Sequence, residues 1–335
     1  MLKRSFLTIL PLSLAAFILS GCTTDVSEGE VPEVSATAEA SETAPSSGGT
    51  ETIDTSFVEN KYVDIAYGGL WESQKLDIYL PNEGEGPFPV ILAIHGGGFK
   101  EGDKTGNDIA PMLEGVNRGY AVVSVNYRLS NESLFPAAIG DVKAAIRFVK
   151  ANPEEYNLDP DKIAAWGGST GGHLAALAGT SGDDELLNEK NTENSRYSSE
   201  VQAVVDWYGQ IDFLKMDEQF AESGITPKLG ERSSEDSPES IYMGRGLLDK
   251  KEDVEKANPE TYITENDPAF LIQHGTDDAN VPVQQSINFA KDLATVLGED
   301  NVELTIFDGA KHGGEQFTSE ENLNDVFDFL DRVLK

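Results

Sequence analysis

Three short stretches of this chain carry side chains that could act together on a carbonyl. The first is Gly167-Gly168-Ser169-Thr170-Gly171-Gly172, a Gly-x-Ser-x-Gly pattern. A serine hydroxyl is a useful nucleophile only when it projects from a tight turn beside a base. Such a turn, from strand into helix, needs small neighbours because it is strained and other backbone passes close by. The second stretch, Gln273 to Pro282, holds two adjacent carboxylates, Asp277 and Asp278. The third, Asp308 to Gly314, holds His312. A base for Ser169 must take its proton, and a buried acid must hold the imidazole tautomer and stabilise the imidazolium.

The chain has four histidines. His95 and His274 each end an apolar run and precede glycine, which reads as support for their own loops. His173 lies four residues beyond Ser169 and points back into the protein. In the order Ser, acid, His, only His274 and His312 follow Ser169, and only His312 follows an acid-bearing loop. Spacing alone leaves Asp277 and Asp278 equally eligible as the acid. A fourth stretch, His95-Gly96-Gly97-Gly98-Phe99, follows an early apolar run and suits an oxyanion hole. Amides of Gly97 and Gly98, with that of Thr170 just after the serine, would face the oxygen on which charge develops. The glycines are not followed by the Gly-Lys-Ser/Thr of a phosphate loop. There is also no HExxH, no Cys/His cluster and no Ser-x-x-Lys from Ser169. Metal catalysis and penicillin-binding chemistry therefore have no support, and no cofactor is expected.

These loops need elements to hold them. Lys61–Tyr67 and Gln74–Leu80 alternate as two antiparallel strands joined at Gly68-Gly69. Phe88–Ile94, Tyr120–Asn126, Asp161–Trp166, Val201–Tyr208, Ala269–Gln273 and Val302–Phe307 read as further strands. Helices are expected over Pro136–Ala151, His173–Ala178, Gln284–Leu297 and Glu320–Leu334. In the first of these Ile139, Val142, Ile146 and Val149 share one face. Strands alternating with helices predict an α/β class, with a mostly parallel central sheet and helices on both faces. Ligand sites on such sheets lie at the carboxyl ends of the strands. Residues 211–266 break the alternation. They are long, acidic and punctuated by Gly and Pro, and read as a cap insertion over the strand ends.

Composition frames the rest. The chain has 335 residues, 39% of them apolar, and a formal net charge of −34. So acidic a chain offers nothing to offset phosphate repulsion, which argues against nucleic acid as a partner. The single cysteine, Cys22, permits no internal disulfide. Residues 1–22 read as a signal segment: Lys3 and Arg4, then an apolar stretch from Phe6 to Leu19 too short to span a bilayer comfortably. Leu19-Ser20-Gly21-Cys22 resembles the bacterial lipobox, which predicts a lipidated Cys22 anchoring the protein to the membrane outside the cytoplasm. Residues 23–56 carry no Lys or Arg and scattered apolar groups, and read as a disordered acidic tether. The globular domain is expected over 57–335.

The motifs together resemble the bacterial feruloyl-esterase-like (BD-FAE) branch of the α/β-hydrolases, near the hormone-sensitive-lipase group. The segments that carry the likeness are IHGGGFKEGDK (94–104), VNYRLS (125–130), FPAAIGDVKAAIRFVKAN (135–152), NLDPDKIAAWGGSTGGHLAAL (157–177), VVDWYGQID (204–212), PAFLIQHGTDDANVP (268–282) and the His312 loop. The resemblance implies an α/β-hydrolase fold and a carboxylic-ester hydrolase. It selects Asp278 over Asp277 as the acid. Thr170 departs from the family's usual alanine, with little consequence expected where the amide is what acts. Arg128 and Asp141 read as structural. The substrate class implied is a small-molecule or carbohydrate ester, such as an acetyl or feruloyl group. Two rivals are a serine peptidase of prolyl-oligopeptidase-like type and a non-catalytic binding module on the same scaffold.

Overall fold

The computed structural model describes residues 52–335 except 70, 183 and 189–193. Cys22, the signal-like segment 1–22 and most of the 23–56 tether lie outside the described residues. Eight strands form one sheet: β1 (Lys61–Ala66), β2 (Lys75–Tyr79), β3 (Phe88–Ile94), β4 (Ala121–Val125), β5 (Leu158–Gly168), β6 (Ala203–Trp207), β7 (Ala269–Gly275) and β8 (Val302–Phe307). Their order across the sheet is β1-β2-β4-β3-β5-β6-β7-β8. β1 and β2 run antiparallel at one edge, and every pair from β4 to β8 is parallel. This is the expected α/β-hydrolase class. The interior strands are buried on both faces, which is why they read as short unbroken apolar runs.

Side chains alternate between two cores. Val90, Leu92 and Ile94 of β3 face one side, and Ile91 and Ala93 the other. The first core takes helix α1 (Ala137–Ala151) through Ile139, Val142, Ile146 and Val149, and helix α2 (Thr170–Ser181) through Leu174 and Leu177. The second core takes the C-terminal helix (Glu320–Leu334) through Val326, Phe327 and Leu330, against Trp166 and Trp207. After β3 the chain crosses to β4 on one side and later returns to β5 on the other. The carboxyl ends of β3 and β5 thus flank the point where strand order reverses, and the crevice for a ligand opens there.

One expectation needs correction. Packed chain begins before residue 57. The Ile53 amide donates to the Thr105 carbonyl at 2.8 Å, Thr52 bridges Gly106, and Ile53 is buried in the second core. One apolar residue in a polar run suffices when a loop offers it a partner strand. Residues 211–266, the cap insertion, carry helices of their own. They include helix α3 (Met216–Ser223) and helix α4 (Pro238–Met243). The Ser237 hydroxyl caps α4 by accepting from the Ser240 amide, with Pro238 in the first turn. A cavity of about 500 Å³ lies along α3 and the following loop, lined by Phe220, Ile225 and Pro227 among others. No helix among the described residues is long and apolar enough to cross a membrane.

Candidate active site

β5 ends at Gly168 and α2 begins at Thr170, so Ser169 is the whole turn between them. Its backbone sits at φ 56°, ψ −123°, a conformation a non-glycine residue holds only when its surroundings enforce it. The surroundings here are backbone. A Cβ on Gly167 would run into Gly171, and one on Gly171 into the Ile94 carbonyl. The Ser169 amide donates to the Trp207 carbonyl at 2.8 Å. The glycines are thus required by close approach, and the turn presses the half-buried serine side chain outward at the sheet's carboxyl edge.

His312 follows β8 and reaches back over the serine. Its Nε2 lies 2.8 Å from Ser169 Oγ, and its Nδ1 lies 2.7 Å from Asp278 Oδ2. A carboxylate can only accept, so Nδ1 carries the proton and Nε2 is left to accept from the serine hydroxyl. Asp278 is fully buried, and its Oδ1 accepts from the Asn280 and Val281 amides at 2.7 and 2.9 Å. Burial is the largest single influence on this carboxyl and pushes it up. The positive charge available on His312 and the hydrogen bonds from His274 and His312 outweigh it, and the group is held well below the usual carboxylate range. Asp277, the alternative that spacing left open, is exposed. It takes the Thr276 hydroxyl, and its amide donates to the Ala310 carbonyl.

The glycine loop after β3 lies against the serine turn, because β3 and β5 are neighbours with Ile94 opposite Gly167. Gly97 and Gly98 take φ of 114° and 61°, which frees their amides from a regular ladder. The Gly96 amide is spent on Asp108 Oδ2 at 2.8 Å. Among the described residues no protein acceptor meets the amides of Gly97, Gly98 or Thr170. The cap reaches this loop: a Cβ on Gly98 would rest 3.5 Å from Pro238 of α4.

The other histidines are placed differently. His95 is buried, stacked on Tyr127 with ring centroids 4.3 Å apart, and Tyr127 donates to the His95 carbonyl at 2.9 Å. His173 is buried, with Nδ1 2.7 Å from the Gln210 carbonyl, and burial drives its pKa down to about 4. His274 is buried, with Nε2 3.0 Å from the Val281 carbonyl of its own loop and 3.2 Å from Asp278 Oδ2. Sequence reasoning also passed over Tyr208, whose ring packs 4.6 Å from that of His312. It passed over a buried pair in the cap as well, Arg232 with Glu239, which also accepts from Gln210 at 3.2 Å. Arg128 forms a buried two-pronged pair with Asp141. Among the described residues no group of three or more His, Cys, Asp or Glu side chains converges as a metal site would require.

A hydroxyl, an imidazole and a carboxylate in one line, beside unspent backbone amides, can carry out acyl transfer. Proteins similar to this chain include esterases. The chain is 36% identical over 235 residues to the probable carboxylic ester hydrolase LipM of Mycobacterium tuberculosis, covering 70% of this chain and 52% of LipM. It spans about half the length of the curated relatives it matches. Among solved structures, a bifunctional GH43-CE protein of Bacteroides eggerthii superposes with a TM-score of 0.71 at 34% identity, over 82% of this chain and 38% of that one. A truncated carbohydrate esterase from gut microbiota superposes with a TM-score of 0.73 at 28% identity, over 84% and 99%. The BD-FAE family model matches residues 76–293, from the second strand of the sheet into the helix after the acid loop, and the chain belongs to the BD-FAE family of α/β-hydrolases.

Proposed function

We propose that this protein is a serine carboxylic-ester hydrolase working through an acyl-enzyme. The observation that carries this is the unbroken line from Ser169 Oγ through His312 to Asp278, with links of 2.8 and 2.7 Å. Ser169 Oγ attacks the ester carbonyl carbon while its proton passes to His312 Nε2. Asp278 holds the imidazolium. The amides of Gly97, Gly98 and Thr170 receive the developing oxyanion, each such donor contributing about 3–4 kcal/mol to lowering the barrier. Collapse expels the alcohol, which takes its proton from His312. Water then adds to the acyl-enzyme with His312 again as base, and the acid leaves. The protein's own groups suffice for every step.

The substrate in this reading is an acetyl or feruloyl ester of a carbohydrate, or a small acyl ester. Support comes from the carbohydrate esterases among the similar structures and from the cap helix whose Pro238 adjoins Gly98, where it can shape the alcohol or acyl side. The reading places the enzyme outside the cytoplasmic membrane, held by a lipid on Cys22 with residues 23–51 as spacer.

A substrate panel tests this: acetylated xylan, methyl ferulate and aryl esters from acetate to laurate, with wild type and Ser169→Ala. Release of acetate or ferulate by wild type alone is expected. Full activity in Ser169→Ala would overturn the mechanism. Cleavage of aminoacyl arylamides in place of esters would make the protein a peptidase. Incorporation of a clickable palmitate analogue in the producing bacterium, abolished by Cys22→Ser, tests the anchor.

A further inference from the structure

We infer that His274 is a positioning residue of the triad, a second buried imidazole that holds Asp278 from behind and is itself held by Ser286. This role rests on Ser169, His312 and Asp278 acting as proposed above. Asp278 Oδ2 lies between two imidazole nitrogens, His312 Nδ1 at 2.7 Å and His274 Nε2 at 3.2 Å. His274 Nε2 also lies 3.0 Å from the Val281 carbonyl oxygen. Both neighbours of Nε2 are acceptors only, so Nε2 carries a proton; its hydrogen bond goes to the Val281 carbonyl, and Asp278 Oδ2 lies within ion-pair distance of the same N–H. Nδ1 faces the Ser286 hydroxyl at 2.7 Å, and the ring is clamped at both nitrogens. His274, Ser286 and Asp278 are all fully buried, so water cannot take the place of any of these partners.

The arrangement gives Asp278 two amides on Oδ1 and the His312 imidazole on Oδ2, with the His274 N–H as a second, electrostatic neighbour of Oδ2 at 3.2 Å. A carboxylate that gives part of its charge to His274 has less to give to His312. His274 therefore tempers the attraction that favours the His312 imidazolium. A loop support would need only the Val281 contact. The contact to Oδ2 couples the second imidazole to the first. The other charged or titratable groups facing this pair are Asp206 of β6, which acts on His274 electrostatically, and Tyr208, whose ring lies 4.6 Å from His312 and 6.5 Å from His274. Neither hydrogen-bonds Asp278, so neither substitutes for His274.

The test is His274→Phe, which keeps a ring in the space and removes both nitrogens. With only four histidines, each imidazole can be followed by NMR on histidine-labelled protein. Without the His274 N–H beside Oδ2, the midpoint of His312 should rise by about half a pH unit or more. The acid limb of kcat/KM should move with it, and KM should stay within about twofold. A folded His274→Phe protein with His312 and the acid limb unmoved would overturn the inference. Should that variant not fold, Ser286→Ala keeps the imidazole but unclamps it. It should move His312 in the same direction by less, and no movement there would equally overturn the proposal. If wild type hydrolyses no ester while His312 still shifts in His274→Phe, the esterase reading fails and the coupling of the two imidazoles stands.

Discussion

Asp278 Oδ2 stands 2.7 Å from His312 Nδ1, while Asp277, one residue earlier on the same loop, is turned to solvent. The difference follows from local backbone. Asp278 Oδ1 accepts from the amides two and three residues on, an Asx-type turn that draws the carboxylate inward. Chain direction past that turn then aims the preceding side chain outward.

The two aspartates should separate cleanly in kinetics. Asp278→Asn replaces an acceptor with a group that can donate, which favours the wrong imidazole tautomer and removes the charge opposite the imidazolium. A fall in kcat of about 10³–10⁴-fold on an aryl acetate is expected. Asp277→Asn touches neither contact and should stay within about threefold. Circular dichroism checks that both proteins are folded. A larger loss in Asp277→Asn would reassign the acid.

The glycine loop should respond by position. A Cβ on Gly97 would overlap the Glu101 carbonyl, and φ is 114°, so alanine cannot be accommodated without moving the loop. A Cβ on Gly98 meets Pro238 at 3.5 Å, an ordinary contact, and φ of 61° costs alanine only about 1–2 kcal/mol. Gly97→Ala should therefore cost about 10²-fold or more in kcat with little change in KM, the mark of a misplaced oxyanion donor. Gly98→Ala should cost less than about tenfold. Equal losses would mean that the two amides are not distinguished as the geometry requires.

Much of this was legible in the sequence, for reasons that can be named. The parallel strands are apolar runs because both faces are covered. Gln284–Leu297, Val302–Phe307 and Glu320–Leu334 appear with the bounds expected of them, where apolar spacing and flanking Gly or Ser agree. Ser169 could be singled out because glycines crowd the turn at the end of its strand, and His312 because it alone follows both Ser169 and an acid-bearing loop. Asp278 could not be told from Asp277 by spacing, since adjacent residues differ only in which way the turn points them. The cap helices are short. The Ser237-Pro238 start of α4 was a readable signal, but Arg232 and Glu239 meet across a loop that no periodicity describes. The second imidazole on Asp278 depends on where α5 (Gln284–Leu297) brings Ser286, which is a tertiary fact.

Arg128 and Asp141 should matter to stability and little to chemistry. Asp141 is fully buried and accepts from the Arg128 amide, Nε and Nη2 at 2.6–2.8 Å, and from Gln74 at 2.7 Å. Asp141→Asn would remove the charge that Asp141 sets against the buried Arg128 guanidinium, which costs about 3–5 kcal/mol. For a domain of this size that corresponds to a fall in Tm of about 10 °C, readable by calorimetry. Activity per folded molecule well below the transition should stay within about threefold. A large loss of kcat with Tm unchanged would place this pair at the substrate instead.

Asp206 provides a pH test of the fold itself. It lies at 0% exposure on β6, its Oδ1 accepts from the Gly209 amide at 2.9 Å, and among the described residues its Oδ2 meets no donor. Burial raises its pKa from the ordinary 3.8 to about 6, against the smaller opposing pulls of the Gly209 amide and His274. The sign follows from proton counting. Between about pH 4 and 6 the folded state holds a proton that the unfolded state has released, so stability falls as pH rises through that window and stays lower above it. Asp206→Asn has no proton to lose. The Tm of the variant minus that of wild type should therefore become more positive from pH 4 to pH 7, by about 5 °C or more. Comparing the two proteins at each pH cancels the titration of every other carboxylate, and any fixed cost of placing an amide at Oδ2 appears equally at both ends. A difference that stays flat across the window would mean that Asp206 is solvated or paired when ionised, and that burial does not govern it.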